Sequence, residues 1–162
     1  MVHQSDVALE YLIDELSSRE EKYVVLIFGD HQPALPLMGT NMGLCGSATR
    51  VPYIIWTNYE MPEAARFDYQ SDATGLSYLA LDVLNAAGFE LPAYYQYISD
   101  IRNAIPAINA TGYYSPASGY YCGIDWDKPA EEQNALNAYR YLQYNILFDG
   151  ANNVLLDGVM PE

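Results

Sequence analysis

The stretch YVVLIFGDHQPAL, residues 23–35, decides the fold class that this sequence predicts. Its first six residues form a continuous apolar run rich in β-branched side chains, and Gly29 ends the run. A short strand that is apolar along its whole length is typical of a sheet covered on both faces, as parallel sheets are. We therefore predict a buried strand over residues 23–28 in a mostly parallel α/β layer.

Elements on either side of this strand complete the predicted layer. Residues 5–18 carry apolar side chains at i, i+3 and i+4 spacing, which predicts an amphipathic helix. Residues 52–57 are a second apolar run and predict a strand parallel to the first. Further helices are predicted over residues 75–87, from Pro92 to about residue 104 and from Pro129 to about residue 148, with a turn-rich segment at 109–127 and a short strand at 153–156.

Gly29-Asp30-His31 is the motif that carries chemistry in this sequence. Ligands of open α/β sheets bind at the carboxyl ends of the strands, and the motif stands at such an end. A carboxylate and an imidazole on adjacent residues can bind one divalent cation, and that ligand pair suits zinc or manganese. The alternative is that Asp30 caps a turn and His31 is an ordinary surface residue.

Two further residues are candidates for the substrate side of this site. Trp56 and Asn58 lie at the end of the second predicted strand. If the two strands are parallel, their carboxyl ends meet at one edge of the sheet, and these side chains face the same edge as Asp30. The alternative is that both residues have no part in the site.

Composition and charge exclude one class of partner and constrain another. The formal net charge is −14, with only seven lysines and arginines scattered along the chain. Nucleic-acid binding is therefore excluded, because a phosphate backbone requires clustered basic residues. An anionic substrate would also be repelled unless a cation or basic groups offset the field. The remaining acidic residues are expected mostly on solvated helix faces.

Sequence alone leaves the roles of two sets of side chains undecided. Cys45 and Cys122 would form one disulfide in an oxidising compartment or remain two thiols. Sixteen tyrosines are an unusual number, and eight aromatic side chains would form a platform for glycans or lipid headgroups, or pack at a surface rim, which is the interpretation that we favour. These are Tyr94, Tyr95, Tyr97, Tyr113, Tyr114, Tyr120, Tyr121 and Trp126.

The residues around the motif resemble a known family. The stretch at 23–35 is similar to the strand and metal motif of the alkaline phosphatase superfamily, in its sulfatase and lipoteichoic acid synthase branch. SDVALEYLIDEL at 5–16 resembles the helix that precedes this strand there, and VPYIIWTNYE at 51–60 resembles the next strand. The stretches at 76–109 and 136–150 resemble the family's later helices, so the likeness covers nearly the whole chain in the same order.

The resemblance implies a fold and a domain organisation. The chain would be the C-terminal portion of an alkaline phosphatase-like sulfatase fold, with a partial, mostly parallel sheet and flanking helices. Residues 1–162 would form a single partial sulfatase-like domain whose N-terminal half is absent, with a closing helix over residues 128–149. An uncovered sheet edge or apolar face recruits other chains, so we expect self-association.

The resemblance also implies a function. The parent protein would be a metal-dependent phosphoglycerol transferase, or a hydrolase of phosphodiesters or sulfate esters, at the extracellular face of the cell membrane. Its substrate would be phosphatidylglycerol or a glycerol-phosphate polymer. Asp30 and His31 match two ligands of a divalent metal, manganese foremost, with zinc, magnesium or calcium as alternatives.

The family's nucleophilic hydroxyl and a further acidic ligand lie upstream of the segments found in this chain. We therefore expect weak metal binding and no activity from the chain alone, with no catalytic nucleophile in it. The alternative is a non-catalytic cell-surface binding module that retains half of the fold.

Overall fold

A computed structural model of the chain describes residues 2–31, 50–65, 73–109, 112–122 and 128–148. The predicted strand at 153–156 and Cys45 lie outside these residues. Short 3-10 turns occur at Glu63–Ala65 and Leu76–Tyr78. The helices and strands follow in the order α1 (Val2–Ser17), β1 (Val24–Phe28), β2 (Tyr53–Thr57), α2 (Leu79–Ala87), α3 (Ala93–Ala104), β3 (Ala107–Asn109), β4 (Gly112–Ser115), β5 (Gly119–Cys122) and α4 (Ala130–Phe148).

The strands β1 and β2 pair antiparallel, which corrects the prediction of a parallel pair. Phe28 lies opposite Tyr53, and Val24 lies opposite Thr57. A parallel pair requires a crossover of about a dozen residues or more, usually a helix. The sequence between the strands is rich in proline and glycine and carries no helical pattern, so it offers no crossover helix. An antiparallel pair needs no crossover, because the second strand begins at the end where the first one stops.

The sheets of the described residues are both antiparallel, so the chain is mixed α/β without the mostly parallel sheet that was predicted. One sheet is the β1–β2 pair, and the other has the order β3–β4–β5. The second sheet occupies part of the segment that was predicted to be turn-rich. Tyrosine favours strands, and the turn prediction gave more weight to the glycines, serines and proline between the tyrosines.

The β1–β2 pair is only partly covered, although both strands are apolar. The residues of β1 are half-buried up to Phe28, whose side chain is 48% exposed, and Ile54 of β2 is 56% exposed. The helix α2 contacts both strands. The full cover on both faces that an apolar run predicts is therefore not reached among the described residues.

Helix ends follow the local sequence signals. Gly88 ends α2 in the left-handed conformation, with φ of 73°, which glycine adopts without strain. Pro92 precedes α3 and accepts a hydrogen bond from the amide of Gln96 at 3.0 Å. Pro129 precedes α4 in the same way and accepts from Gln133 at 2.9 Å. These predicted helices are confirmed within a few residues, and α4 lies inside residues 128–149.

The core lies among the later helices and the second sheet. One buried cluster joins α2, α3 and α4, and a second joins α4 with the end of α3 and β4. Tyr94, Tyr95 and Tyr97 pack partly buried against the first cluster, while Tyr78 and Tyr113 are fully buried. The tyrosines of this region therefore contribute to packing, but Tyr113 lies in the core and not at the surface rim that was predicted.

Two acidic side chains are buried in this core, as exceptions to the expectation that acidic residues lie mostly on solvated faces. Asp82 of α2 is fully buried and forms an ion pair with Arg102 of α3. Glu132 of α4 is 2% exposed and accepts a hydrogen bond from the Tyr113 hydroxyl at 2.7 Å. Buried charges persist when they are paired and hydrogen-bonded, and these pairs connect separate elements.

Among the residues that the structure describes, no helix is long and apolar enough to cross a bilayer.

Candidate metal-binding motif and the adjoining cleft

Asp30 and His31 follow β1 directly, and their side chains point into solvent. Their exposed fractions are 85% and 76%. The backbone amide of His31 donates to Asp30 Oδ1 at 2.9 Å, which holds the carboxylate over the motif. Asp30 Oδ2 lies 3.5 Å from His31 Nε2. The motif therefore presents one carboxylate oxygen and one imidazole nitrogen side by side.

Gly29 brings the motif close to the start of β2. Its amide donates to the carbonyl of Pro52 at 3.2 Å, which continues the ladder by one bond. A Cβ atom at Gly29 would lie 3.1 Å from Cβ of Val51, closer than ordinary van der Waals contact. A larger residue here would push the two segments apart, so glycine sets the position of Asp30.

The donor chemistry of the motif fits a divalent metal in part. Two ligand atoms that each lie ~2.1 Å from one tetrahedral ion are ~3.4 Å apart, which agrees with the separation of Asp30 Oδ2 and His31 Nε2. A catalytic metal needs about three protein ligands or more. Within the described ranges, no group of three or more His, Cys, Asp or Glu residues comes together. The described residues therefore place two candidate donors side by side, without a third beside them.

Trp56 and Asn58 are not at the Asp30 end of the strand pair. Because β2 runs antiparallel to β1, Asn58 lies beyond the opposite end, and Trp56 pairs with Val25. Asn58 Oδ1 accepts from the Tyr23 amide at 2.8 Å, and its Nδ2 donates to the carbonyl of Glu21 at 2.8 Å. Asn58 thus connects β2 to the loop before β1. It was predicted on the substrate side because it would share a strand end with Asp30, and the antiparallel register removes that reason.

The residues that do share the Asp30 end are Arg50 to Tyr53, which the sequence analysis did not single out. They line a cleft of about 570 Å³ between the end of β1 and the β3–β4 hairpin. The six lining residues that matter for its chemistry are Phe28, Asp30, Arg50, Tyr53, Thr74 and Leu76. The signal that could have found them is the proline- and glycine-rich sequence between the strands, whose lack of a helical pattern favours an antiparallel return.

Several polar groups of the cleft are already engaged within the fold. Thr74 Oγ1 donates to the carbonyl of Pro106 at 3.3 Å, and Asn109 Oδ1 accepts from the Gly112 amide at 3.0 Å. These groups shape the wall of the cleft. Its charged lining residues are Asp30 and the half-buried Arg50, and Arg50 also has an interaction partner within the fold.

Comparison with known proteins gives one distant likeness. The chain is 21% identical over 161 aligned residues, covering 91% of its length, to a protein of Rhizobium meliloti (strain 1021) named "Putative cyclic beta-1,2-glucan modification protein". The chain spans about a quarter of that relative's length, 24%. No family model matches the chain, and no solved structure matches it.

Proposed function

We propose that this chain is part of a divalent-metal-dependent enzyme that modifies a cell-envelope glycan or polymer by transferring a phosphoglycerol group. Asp30 and His31 provide two of the metal ligands. The observation that carries this proposal is the pairing of Asp30 Oδ2 with His31 Nε2, 3.5 Å apart and exposed, beside a cleft.

Two likenesses of the sequence support this proposal. The residues around the motif resemble the sulfatase and lipoteichoic acid synthase branch, whose members transfer or hydrolyse phosphate and sulfate esters. The distant relative carries a name that concerns modification of a cyclic glucan. A glycan hydroxyl is a suitable acceptor for a phosphoglycerol group, so both likenesses agree with one reaction.

In this proposal the chain's own residues bind and orient a cation. A bound metal lowers the pKa of the attacking hydroxyl and stabilises charge on the transferring phosphoryl group. Asp30 binds as a carboxylate and His31 as the neutral imidazole, so protons compete with the metal at both side chains. The net charge of −14 attracts cations without selecting among them.

The nucleophile belongs to another part of the enzyme in this proposal. The hydroxyl of Thr74 lines the cleft, but it donates to the carbonyl of Pro106 at 3.3 Å. A nucleophilic hydroxyl requires an adjacent base or metal to activate it. Thr74 is therefore assigned to the wall of the cleft.

Manganese binding by the 162-residue chain tests the ligand assignment. We expect weak binding, measured as loss of the free Mn²⁺ signal in electron paramagnetic resonance, and its loss in Asp30→Asn and His31→Ala. His3→Ala is the matched control, because His3 is an exposed histidine of α1 outside the cleft lining. Manganese binding that is equal in all four proteins would remove the assignment.

A turnover assay tests whether the catalytic site is divided between this chain and the rest of the parent enzyme. The chain with added manganese should not hydrolyse a chromogenic phosphodiester, whereas the longer parent enzyme should lose turnover on His31→Ala and keep its fold. Turnover by the chain alone that disappears in His31→Ala would show that the complete site is already present here.

A second candidate is a non-catalytic module that binds an envelope glycan. The cleft favours it, because Phe28 and Tyr53 offer aromatic surface beside polar groups. Saturable binding of a glucan that is unaffected by His31→Ala, together with no turnover in the parent protein, would favour the module over the enzyme.

A further inference from the structure

The backbone that leads into the metal motif lies against the segment that enters β2. Tyr53 pairs with Phe28, and the amide of Gly29 donates to the carbonyl of Pro52 at 3.2 Å. The preceding residue of that segment, Val51, lies over Gly29. A Cβ atom added at Gly29 would be 3.1 Å from Cβ and 3.3 Å from Cγ1 of Val51. The motif therefore begins at a close approach of two segments.

Val51 is poorly able to yield to a larger neighbour. Its branched side chain has few favourable χ1 rotamers. It also precedes Pro52, and the residue before a proline is biased toward extended backbone conformations. Side chain and backbone are both restricted, so a side chain at position 29 would displace the motif and leave Val51 in place.

The side chains of Asp30 and His31 are placed chiefly by the backbone that carries them. They are 85% and 76% exposed, so their own packing contributes little to their position. Asp30 Oδ2 and His31 Nε2, 3.5 Å apart, project from the backbone that continues from Gly29. A shift of that backbone therefore changes where both donor atoms lie.

We propose that Val51 is a positioning residue of the metal motif. Packed against Gly29, it fixes the backbone from which the two donor side chains project. Its effect on metal binding rests on the proposed function, whereas the packing contact can be tested without metal. Val51 itself binds neither metal nor substrate in this proposal and acts through Gly29.

Amide hydrogen exchange in the metal-free 162-residue chain, followed by nuclear magnetic resonance, tests the contact. Gly29→Ala adds a methyl group against Val51, and Val51→Gly removes the valine side chain. Each should speed exchange at the amide of residue 29 by about three- to tenfold, as expected when one hydrogen bond is weakened. Each should also shift the amide signal of His31. Val51→Thr keeps the branched shape and should leave both measurements unchanged.

An exchange of the two side chains gives the decisive variant. In Gly29→Ala/Val51→Gly the added methyl group meets the space that the valine has left, so exchange at residue 29 should return most of the way to that of the unchanged chain. Gly29→Ala/Ile54→Gly is the matched control, because Ile54 is an exposed residue of the same strand pair and its removal leaves Val51 in place. The control should not recover. The amides of Leu81 and Ile98 in the core should keep their protection in all variants.

Manganese binding by the same variants separates this proposal from the proposed function. Where the unchanged chain binds Mn²⁺, the affinity should fall severalfold in Gly29→Ala and recover in Gly29→Ala/Val51→Gly. An unchanged chain that binds no Mn²⁺ would remove the ligand assignment, and the exchange measurements would still decide the packing role. Normal exchange in Gly29→Ala, no recovery in Gly29→Ala/Val51→Gly, or loss of protection in the core as well would overturn the role of Val51.

Discussion

Two regions of this chain have a similar proportion of apolar residues in their helices and strands but differ in how far those residues are buried. The core region, residues 75–148, contributes all of the largest fully buried side chains in the described part of the chain. The strand-pair region, residues 3–31 and 50–60, has apolar strands and an amphipathic helix, yet its side chains remain half-buried or exposed. The core region packs three helices against each other and against a sheet, whereas the strand pair has α2 as its main neighbour.

The difference teaches where stability resides and where the proposed site lies. Apolar sequence stabilises a protein only when other elements cover it, because the free energy follows the area removed from water. The motif, the cleft and Arg50 all lie at the end of the less covered strand pair. Exposure there leaves Asp30 and His31 open to ligands, and it leaves apolar strand residues open to other chains.

The largest expected effect compares one leucine in each region. Leu136 of α4 is 1% exposed, so Leu136→Ala should lower the free energy of unfolding by about 2–5 kcal/mol. Leu26 of β1 is half-buried, so Leu26→Ala should cost about half as much or less. Urea denaturation followed by circular dichroism measures both values. Equal losses would mean that the two regions form one cooperative core.

The next effect is acid sensitivity through Glu132. Burial raises its pKa, but hydrogen bonds from Ser118, Tyr113 and Ser115, with Lys128 nearby, outweigh burial and hold the pKa below the usual glutamate range. Its contribution is therefore complete above the unfolded-state pKa of about 4.3 and is lost as the pH falls through the lower folded-state value.

Glu132→Gln should cost about 1–3 kcal/mol near neutral pH and reduce the loss of stability on acidification. Thermal denaturation at a series of pH values measures this. Glu131→Gln is the control, because Glu131 is its exposed neighbour on α4 and should leave the pH profile unchanged. A profile that is the same in Glu132→Gln would show that the network does not sense pH.

A smaller effect should follow from Asn58, which holds α1 and the strand pair together. Its side-chain amide donates to the carbonyls of Leu16 and Arg19 at 3.3 Å and of Glu21 at 2.8 Å, and its oxygen accepts from the Tyr23 amide. Asn58→Ala should cost about 1–2 kcal/mol.

Hydrogen exchange locates the effect of this change. Exchange at Tyr23 and along α1 should become faster in Asn58→Ala, while the core region keeps its protection. Asn103→Ala, on the exposed face of α3, should change neither. Faster exchange throughout the chain would place Asn58 in the same cooperative unit as the core.

The smallest effect on stability should accompany a clear effect on association. Ile54 of β2 is 56% exposed, so Ile54→Lys should change the free energy of unfolding by about 0.5 kcal/mol or less. It should also reduce self-association, because a lysine blocks the approach of a second strand pair. Light scattering measures the mass of the particles.

Leu147→Lys is the control for association, since Leu147 is 72% exposed on α4, outside the strand pair. Its self-association should match that of the unchanged chain. If the unchanged chain is a monomer at high concentration, the strand pair is not an association surface.

Local patterns in the sequence were sufficient for the positions of the helices, of β1 and β2 and of the motif, but not for the sheet of β3, β4 and β5. Pro92, Pro129 and Gly88 mark helix ends by backbone geometry that depends on immediate neighbours. Asp30 and His31 are adjacent along the chain, so their proximity follows from covalent structure, and Gly29 after an apolar run predicted their place at a strand end.

The direction of β2 was decided only in the tertiary structure. An apolar run predicts a strand, but its period is the same whichever way the strand runs, so parallel and antiparallel partners cannot be told apart from the run itself. That direction places Arg50 beside the motif and moves Asn58 to the other end. Burial of Glu132 likewise depends on Tyr113 and Ser118 from another element, and no pattern within α4 contains that contact.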